Sequence, residues 1–266
     1  QSYKSSKATV RAYVRILENG ICLNLHLLKQ KLAKKNAAYV QDSIHWMKMK
    51  LQPGKLTLQQ IASIARPATF LILTKSDNGL SQGTGFFINE VGLALTNNHV
   101  YNNGTQQGVI YMYDTNGKLI PDYDRKMGRI VYTNENYDFT IFQVDDLDKT
   151  VPCLPLADGE TNTGDVIAAV GNPKVSDSSK LDFNTQSLVL SGRVTKVDQD
   201  NNMIYHDANI DHGCSGGPIV NEYGQVISLT TFGLGGVLTT TNLNRGVDIR
   251  IVREALEHFE KDYAGK

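Results

Sequence analysis

Two hydrophobic rhythms divide the chain. Over residues 1–56 the apolar positions Val14, Leu17, Ile21, Leu25, Leu28 and Leu32 recur at steps of three and four, and Val40, Ile44, Met47 and Leu51 resume the series. That spacing lines one face of a helix, so the segment reads as one long amphipathic helix or a two-helix hairpin, ended at Pro53-Gly54. Thr57 with Gln60 predicts a capping box for a short helix leading to Arg66-Pro67. Beyond it the rhythm changes to short Val/Ile/Leu/Phe/Thr/Tyr runs broken by Gly, Asn and Asp, as in residues 70–74, 109–113 and 226–230. These are strand signals. Asp114-Thr115-Asn116-Gly117 and Asn221-Glu222-Tyr223-Gly224 read as hairpin connections, the glycine supplying positive φ. Near the C-terminus Val252, Leu256 and Phe259 fall on one helical face. The pattern therefore predicts a helical extension, residues 1–56, and an all-β domain, residues 57–266, carrying a C-terminal helix.

A chain of 266 residues is long enough for one such domain plus an extension. Net charge is zero, with 27 Lys/Arg against 27 Asp/Glu, but its distribution sharpens the division. Residues 1–56 hold 11 basic and 2 acidic side chains, leaving 27 − 11 = 16 against 27 − 2 = 25 in the remainder. The extension is thus about +9 and the domain about −9. Docking of the extension across the domain, self-association through its apolar stripe into a homo-oligomer, and association with an anionic membrane surface all fit this basic, amphipathic character. A solvated polar face is the plain alternative. The stripe is too interrupted by charge to span a bilayer, which needs about 20 apolar residues. One Trp and the absence of zinc-finger cysteine spacing argue against nucleic-acid binding.

Within the β region one hexapeptide stands out, Gly213-Cys214-Ser215-Gly216-Gly217-Pro218. A small-residue turn presents a hydroxyl where backbone amides can converge on an oxyanion. A serine nucleophile also needs a base and a group to orient it. Leu95-Thr96-Asn97-Asn98-His99-Val100 ends an apolar run with an imidazole, and Asp138 heads another, Phe139-Thr140-Ile141. Singly, each block has a bland explanation: glycine turns punctuate strands, a histidine after an apolar run is a structural residue, and an Asp opening a strand is a solvated turn residue. Together and in order they point to catalysis. The segment His206-Asp207 to Asp211-His212 offers rival bases and metal-ligand types, but its spacing fits no zinc pattern, so no metal and no cofactor are expected.

The blocks Gly83-Thr84-Gly85-Phe86, Thr96-Asn97-Asn98-His99-Val100, Asp138-Phe139-Thr140, Ala169-Val170-Gly171-Asn172-Pro173, Ser191-Gly192-Arg193-Val194 and Gly213-Cys214-Ser215-Gly216-Gly217 resemble those of chymotrypsin-fold (trypsin-like) serine peptidases, most closely the HtrA/Deg protease domain. The resemblance runs from about residue 58 to about residue 259. It implies two six-stranded antiparallel β-barrels with a C-terminal helix. It also implies a serine endopeptidase acting on peptides or proteins through His99, Asp138 and Ser215 and an acyl-enzyme, with the amides of Gly213 and Ser215 as oxyanion donors. Cys214 stands one place before the nucleophile, where trypsin-like enzymes carry the Asp that pairs with a cut N-terminus, so activation of that kind is not expected. A solvent-accessible Cys214 would be an oxidisable switch beside the oxyanion hole.

By the same resemblance Ile210 and Thr231, Phe232, Gly233 and Leu234 line the primary pocket, with backbone groups of 231–233 pairing with an extended substrate. Asn209 offers no carboxylate for Lys or Arg, so a small or medium aliphatic P1 residue is expected. Two alternatives stay open: a catalytically silent peptide-binding or scaffold protein on the same fold, and a glutamyl endopeptidase-like enzyme using His206, His212, Thr230 and Thr231. Three cysteines, Cys22, Cys153 and Cys214, do not make a disulfide framework. A start at Gln1 without Met suggests a mature or trimmed product, export to the bacterial periplasm or beyond is implied by the resemblance, and the chain, which carries no PDZ domain of the kind HtrA-like proteins often have, reads as a protease-only member or a fragment of something longer.

Overall fold

A computed structural model describes residues 16–17, 20–21, 54–76, 79–102, 108–114, 116–144, 147, 150–172, 186–231 and 244–264. Within the extension, β1 (Ile16–Leu17) and β2 (Gly20–Ile21) form an antiparallel pair, with Ile16 opposite Ile21 and Leu17 opposite Gly20. The helical stripe expected through Leu17 and Ile21 is therefore extended at these positions. The rest of the helical extension lies outside the described residues. Helix α1 (Leu58–Ala65) carries the expected capping box, Thr57 Oγ1 accepting from Gln60 N–H while Gln60 Oε1 accepts from Thr57 N–H at 2.9 Å, and a short 3₁₀ turn follows at Arg66–Ala68.

Thirteen further strands and two helices follow in the described chain. They are β3 (Thr69–Ser76), β4 (Gly79–Phe87), β5 (Leu93–Thr96), helix α2 (Asn98–Tyr101), β6 (Val109–Tyr113), β7 (Leu119–Lys126), β8 (Arg129–Asn134), β9 (Phe139–Gln143), β10 (Val166–Gly171), β11 (Leu188–Asp198), β12 (Met203–His206), β13 (Pro218–Asn221), β14 (Val226–Thr230), β15 (Asn244–Asp248) and helix α3 (Ile249–Ala264). Both expected hairpin turns form: Gly117 N–H donates to Asp114 O and Gly224 N–H to Asn221 O, at φ 79° and 77°. In α3, Val252 and Leu256 are buried as the periodicity predicts.

Strands β10-β11-β12-β15-β14-β13 close into a six-stranded barrel. The second barrel expected from the sequence is instead a seven-stranded sheet, β7-β6-β3-β4-β5-β9-β8, that does not close by hydrogen bonding. The reason lies at Met127-Gly128. Lys126 ends β7 paired with Val109, and Arg129 begins β8 paired with Gln143, so the chain crosses from one sheet edge to the other through two residues. Met127 N–H is spent on Gly108 O and Gly128 O accepts from Tyr101 Oη. The edges thus meet through a covalent step, which curls the sheet without a ladder between β7 and β8.

Strands β4, β5 and β9 lie between the two halves. Phe86, Leu95 and Ile141 form one rung across them, and Phe87, Ala94 and Phe142 the next. Successive rungs face opposite sides of a sheet. The first rung packs into the cluster that includes Ile167, Val194, Ile204 and Leu229 of the barrel, and the second packs with Phe70, Ile72 and Ile110 inside the curled sheet. Both faces are buried, which accounts for the unbroken apolar runs before His99 and after Asp138. It also brings the C-terminal end of β5 against the barrel.

Candidate active site

His99 sits on the one-turn helix α2, directly after β5. Val100 is buried beneath it, and Tyr101 packs on Phe142 with ring centroids 5.3 Å apart. The helix entry is tied to the turn before β9: Asn97 Nδ2 donates to Asp138 O at 2.8 Å, and Asn98 N–H to the same carbonyl at 3.2 Å. Asp138 holds a left-handed backbone, φ 53°, a conformation Asp tolerates better than most residues. Tyr137, just before it, accepts from Asn202 Nδ2 at 3.0 Å and so pins this turn to the barrel.

The Asp138 carboxylate is buried and fully engaged. Oδ1 accepts from His99 N–H at 2.9 Å, and Oδ2 meets His99 Nδ1 at 2.7 Å and accepts from Thr231 Oγ1 at 2.9 Å. Burial pushes the carboxyl pKa up, but the hydrogen bonds and charge of His99, with the Thr231 hydroxyl, outweigh it and hold the group below its ordinary value. An ionised Asp138 fixes the tautomer with the proton on Nδ1 and leaves Nε2 as an acceptor.

Ser215 lies across from this pair on the turn before β13 and is 6% exposed. Gly216, φ 84°, is where the halves touch: a side chain there would collide with Thr84 O and Thr96 Oγ1 and come within 3.1 Å of Asn97 N. Four successive amides are disposed in two ways. Cys214 N–H donates to Asp211 O at 3.1 Å and Gly216 N–H to Thr230 O at 2.9 Å. Those of Gly213 and Ser215 meet no acceptor among the described residues. Cys214 O accepts from Gly217 N–H at 2.9 Å, and because N–H and C=O oppose each other across a trans peptide, Ser215 N–H is turned away from that turn. Gly213 adopts φ 94°. No hydrogen bond joins Ser215 Oγ to His99 among the described residues.

The structure thus pairs His99 with Asp138 and leaves the Gly213 and Ser215 amides available. Other expectations change. Cys214 is 2% exposed and burial raises its thiol pKa, so the solvent-accessible redox switch loses its premise. His206 is fully buried on β12, on the same strand face as Ile204, and among the described residues neither ring nitrogen has a hydrogen-bond partner. Burial drives its pKa down to about 4, against the opposing pull of Asp207 and the Ala208 backbone. The glutamyl-type alternative therefore loses His206, and it loses Thr231, whose hydroxyl is taken by Asp138 and whose N–H donates to Arg245 O. Among the described residues no three His, Cys, Asp or Glu side chains are grouped to hold a metal ion. Ile210 is buried, Asn209 is exposed, and Phe232, Gly233 and Leu234 lie outside the described residues. Sequence reasoning missed the hydroxyl of Thr231 as a partner of Asp138, and it missed Thr84, whose bonds run to the Ser215 turn, and Asn172, which bonds Thr84. The flanking motifs were visible, but nothing local marked these side chains.

Fold and site define a trypsin-like peptidase domain. A family model of that description matches residues 83–229, and the chain belongs to that family. Its curated relatives include a rat protein named serine protease HTR4, 28% identical over 72% of this chain and 36% of its own length. A Rhizobium meliloti protein named as a probable periplasmic DegP-like serine endoprotease is 31% identical over 57% of this chain and 28% of its own. The human serine protease HTRA3 is 26% identical over 95% of this chain and 51% of its own. The chain spans about a third of the length of the first two. The solved structure of a serine endoprotease from Yersinia pestis has the same fold, with TM-score 0.61 and 22% identity over 79% of this chain and 68% of that one.

Proposed function

We propose that the domain is an HtrA/DegP-like serine endopeptidase in which Ser215 is the nucleophile, His99 the general base and Asp138 its orienting partner. The observation that carries this reading is the His99–Asp138 pair, in which both carboxylate oxygens engage one histidine, on a helix whose N-cap Asn97 lies against Gly216 of the Ser215 turn. Ser215 turns about χ1 to meet His99 Nε2, a contact that often tightens only when substrate binds. Ser215 Oγ then attacks the scissile carbonyl carbon as its proton passes to Nε2. The carbonyl oxygen becomes an oxyanion held by the N–H groups of Gly213 and Ser215. The tetrahedral intermediate collapses, His99 gives its proton to the leaving amine, and water repeats the sequence on the acyl-enzyme.

Buried Ile210 and the lack of a carboxylate at Asn209 favour a small or medium aliphatic P1 residue. Substrates are peptides or proteins. Export belongs to the same proposal, supported by the periplasmic designation of the Rhizobium meliloti and Rickettsia prowazekii relatives. The test is hydrolysis of a random peptide library by the wild type, Ser215→Ala and His99→Ala. Cleavage after aliphatic residues is expected from the wild type alone. Equal cleavage by Ser215→Ala would overturn the mechanism, and cleavage after Glu would overturn the P1 assignment.

A further inference from the structure

The oxyanion turn needs something to hold it, because a thiol at position 214 makes no ion pair with a chain terminus. The hydrogen bonds around the turn converge on one residue of the opposite half of the molecule. Thr84 N–H donates to Ser215 O at 2.8 Å and Thr84 Oγ1 donates to Gly213 O at 2.7 Å. These are the carbonyls on either side of the peptide that carries Ser215 N–H. The third carbonyl, that of Cys214, is taken by Gly217 N–H. With all three carbonyls anchored inward, the peptide planes from 213 to 216 are fixed, and with them the direction of Ser215 N–H.

The Thr84 hydroxyl is itself fixed. It accepts from Asn172 N–H and from Asn172 Nδ2, both at 3.1 Å, so its single proton is left for Gly213 O. Asn172 is fully buried at the end of β10, and its Nδ2 also donates to Phe70 O at 3.1 Å. Thr84 O accepts from Thr96 Oγ1 at 2.7 Å, on the strand that leads into His99. Gly83, beside it, lies under the Val100 side chain, so any larger residue would push β4 away from the helix that carries His99. Every polar atom of Thr84 is thereby spent between the His99 strand and the Ser215 turn.

We propose that Thr84, oriented by Asn172, is the positioning residue that holds the Gly213–Ser215 peptides in the oxyanion-binding arrangement, in the place an activation ion pair would take. This rests on the peptidase reading. Thr84 touches no reacting atom and acts through the turn. Its loss weakens transition-state binding more than ground-state binding.

The test compares Thr84→Val, of near-equal shape, with Thr84→Ser, which keeps the hydroxyl. Removal of a whole oxyanion donor costs about 10² to 10³ in rate, so misaligning one is expected to lower kcat by roughly 10- to 100-fold. KM should change little, affinity for a peptidyl boronate that mimics the tetrahedral adduct should fall in step with kcat, and affinity for a cleaved product peptide should hold. Thr84→Ser should recover most of kcat. A Thr84→Val enzyme with kcat within twofold of wild type, or one whose boronate and product affinities fall together, overturns the clamp while leaving the peptidase reading intact. If Thr84→Val does not fold, Asn172→Ala serves instead, with kcat lowered at constant KM expected and wild-type kcat overturning. Absence of Ser215-dependent hydrolysis in the wild type fails the peptidase reading itself and the clamp's catalytic role with it.

Discussion

At the scale of single residues, Asp138 carries the most information because burial and hydrogen bonding act on it in opposite directions and the hydrogen bonds prevail. Its folded pKa lies below the ordinary 3.8, so the stability it contributes is fully present above that value and is lost as pH falls through the lower folded one. Urea unfolding of wild type and Asp138→Asn should therefore give stabilities that differ near neutrality and converge at the acid end. A gap that stays constant with pH would contradict this assignment. The same substitution offers His99 Nδ1 an amide in place of a carboxylate, and kcat should drop by about four orders of magnitude. Asp138 was legible in the sequence as a carboxylate heading an apolar run. Its Thr231 bond was not, since the two residues are 93 positions apart and join only where the turn before β9 meets the residue that follows β14.

At the scale of elements, β6 and β14 follow the apolar runs at 109–113 and 226–230 residue for residue, and the Thr57 cap starts α1 as expected. Alternation reads well where a strand has one wet face. It gives less where both faces are buried, and the two-sided packing of β4, β5 and β9 became visible only through their cross-strand rungs. Phe86 belongs to the rung that faces the barrel, so Phe86→Ala should destabilise the fold by about 3–5 kcal/mol in urea unfolding, as expected for a fully buried aromatic. His206 makes the barrel acid-sensitive in a defined window. Its folded pKa, about 4, lies below the ordinary 6.5, so the unfolded chain takes up a proton that the folded one refuses, and stability declines as pH falls between these values. Over that window the loss is on the order of 3 kcal/mol. His206→Gln should remove the slope there, and an unchanged slope would show that another group is responsible.

At the scale of the whole molecule, the sequence pattern separated the basic extension from the acidic β domain, and the family match falls wholly in the second. The expectation of two closed barrels met a topological limit. Strand signals say where strands are, but closure depends on whether edge strands pair, and here β7 and β8 are joined by a two-residue step instead. The clamp through Thr84 was hidden for a similar reason: Thr84 and Gly213 are 129 positions apart and meet only after both halves have folded. For the extension, we expect the opposite charges of the two parts to have a consequence in solution. Removal of residues 1–56 should change either the assembly mass in light scattering or the rate of peptide hydrolysis, and unchanged mass and rate would dismiss both docking and self-association.

On the proposed mechanism Ser215, and not its neighbour Cys214, is the activated nucleophile served by His99 and Asp138. Treatment with a fluorophosphonate that esterifies activated serines, followed by peptide mass mapping, tests it most directly. One adduct is expected on Ser215 in the wild type and in Cys214→Ser, and none in Ser215→Ala. No adduct in the wild type, under conditions where an active HtrA-type protease is labelled, or loss of labelling in Cys214→Ser, would contradict it.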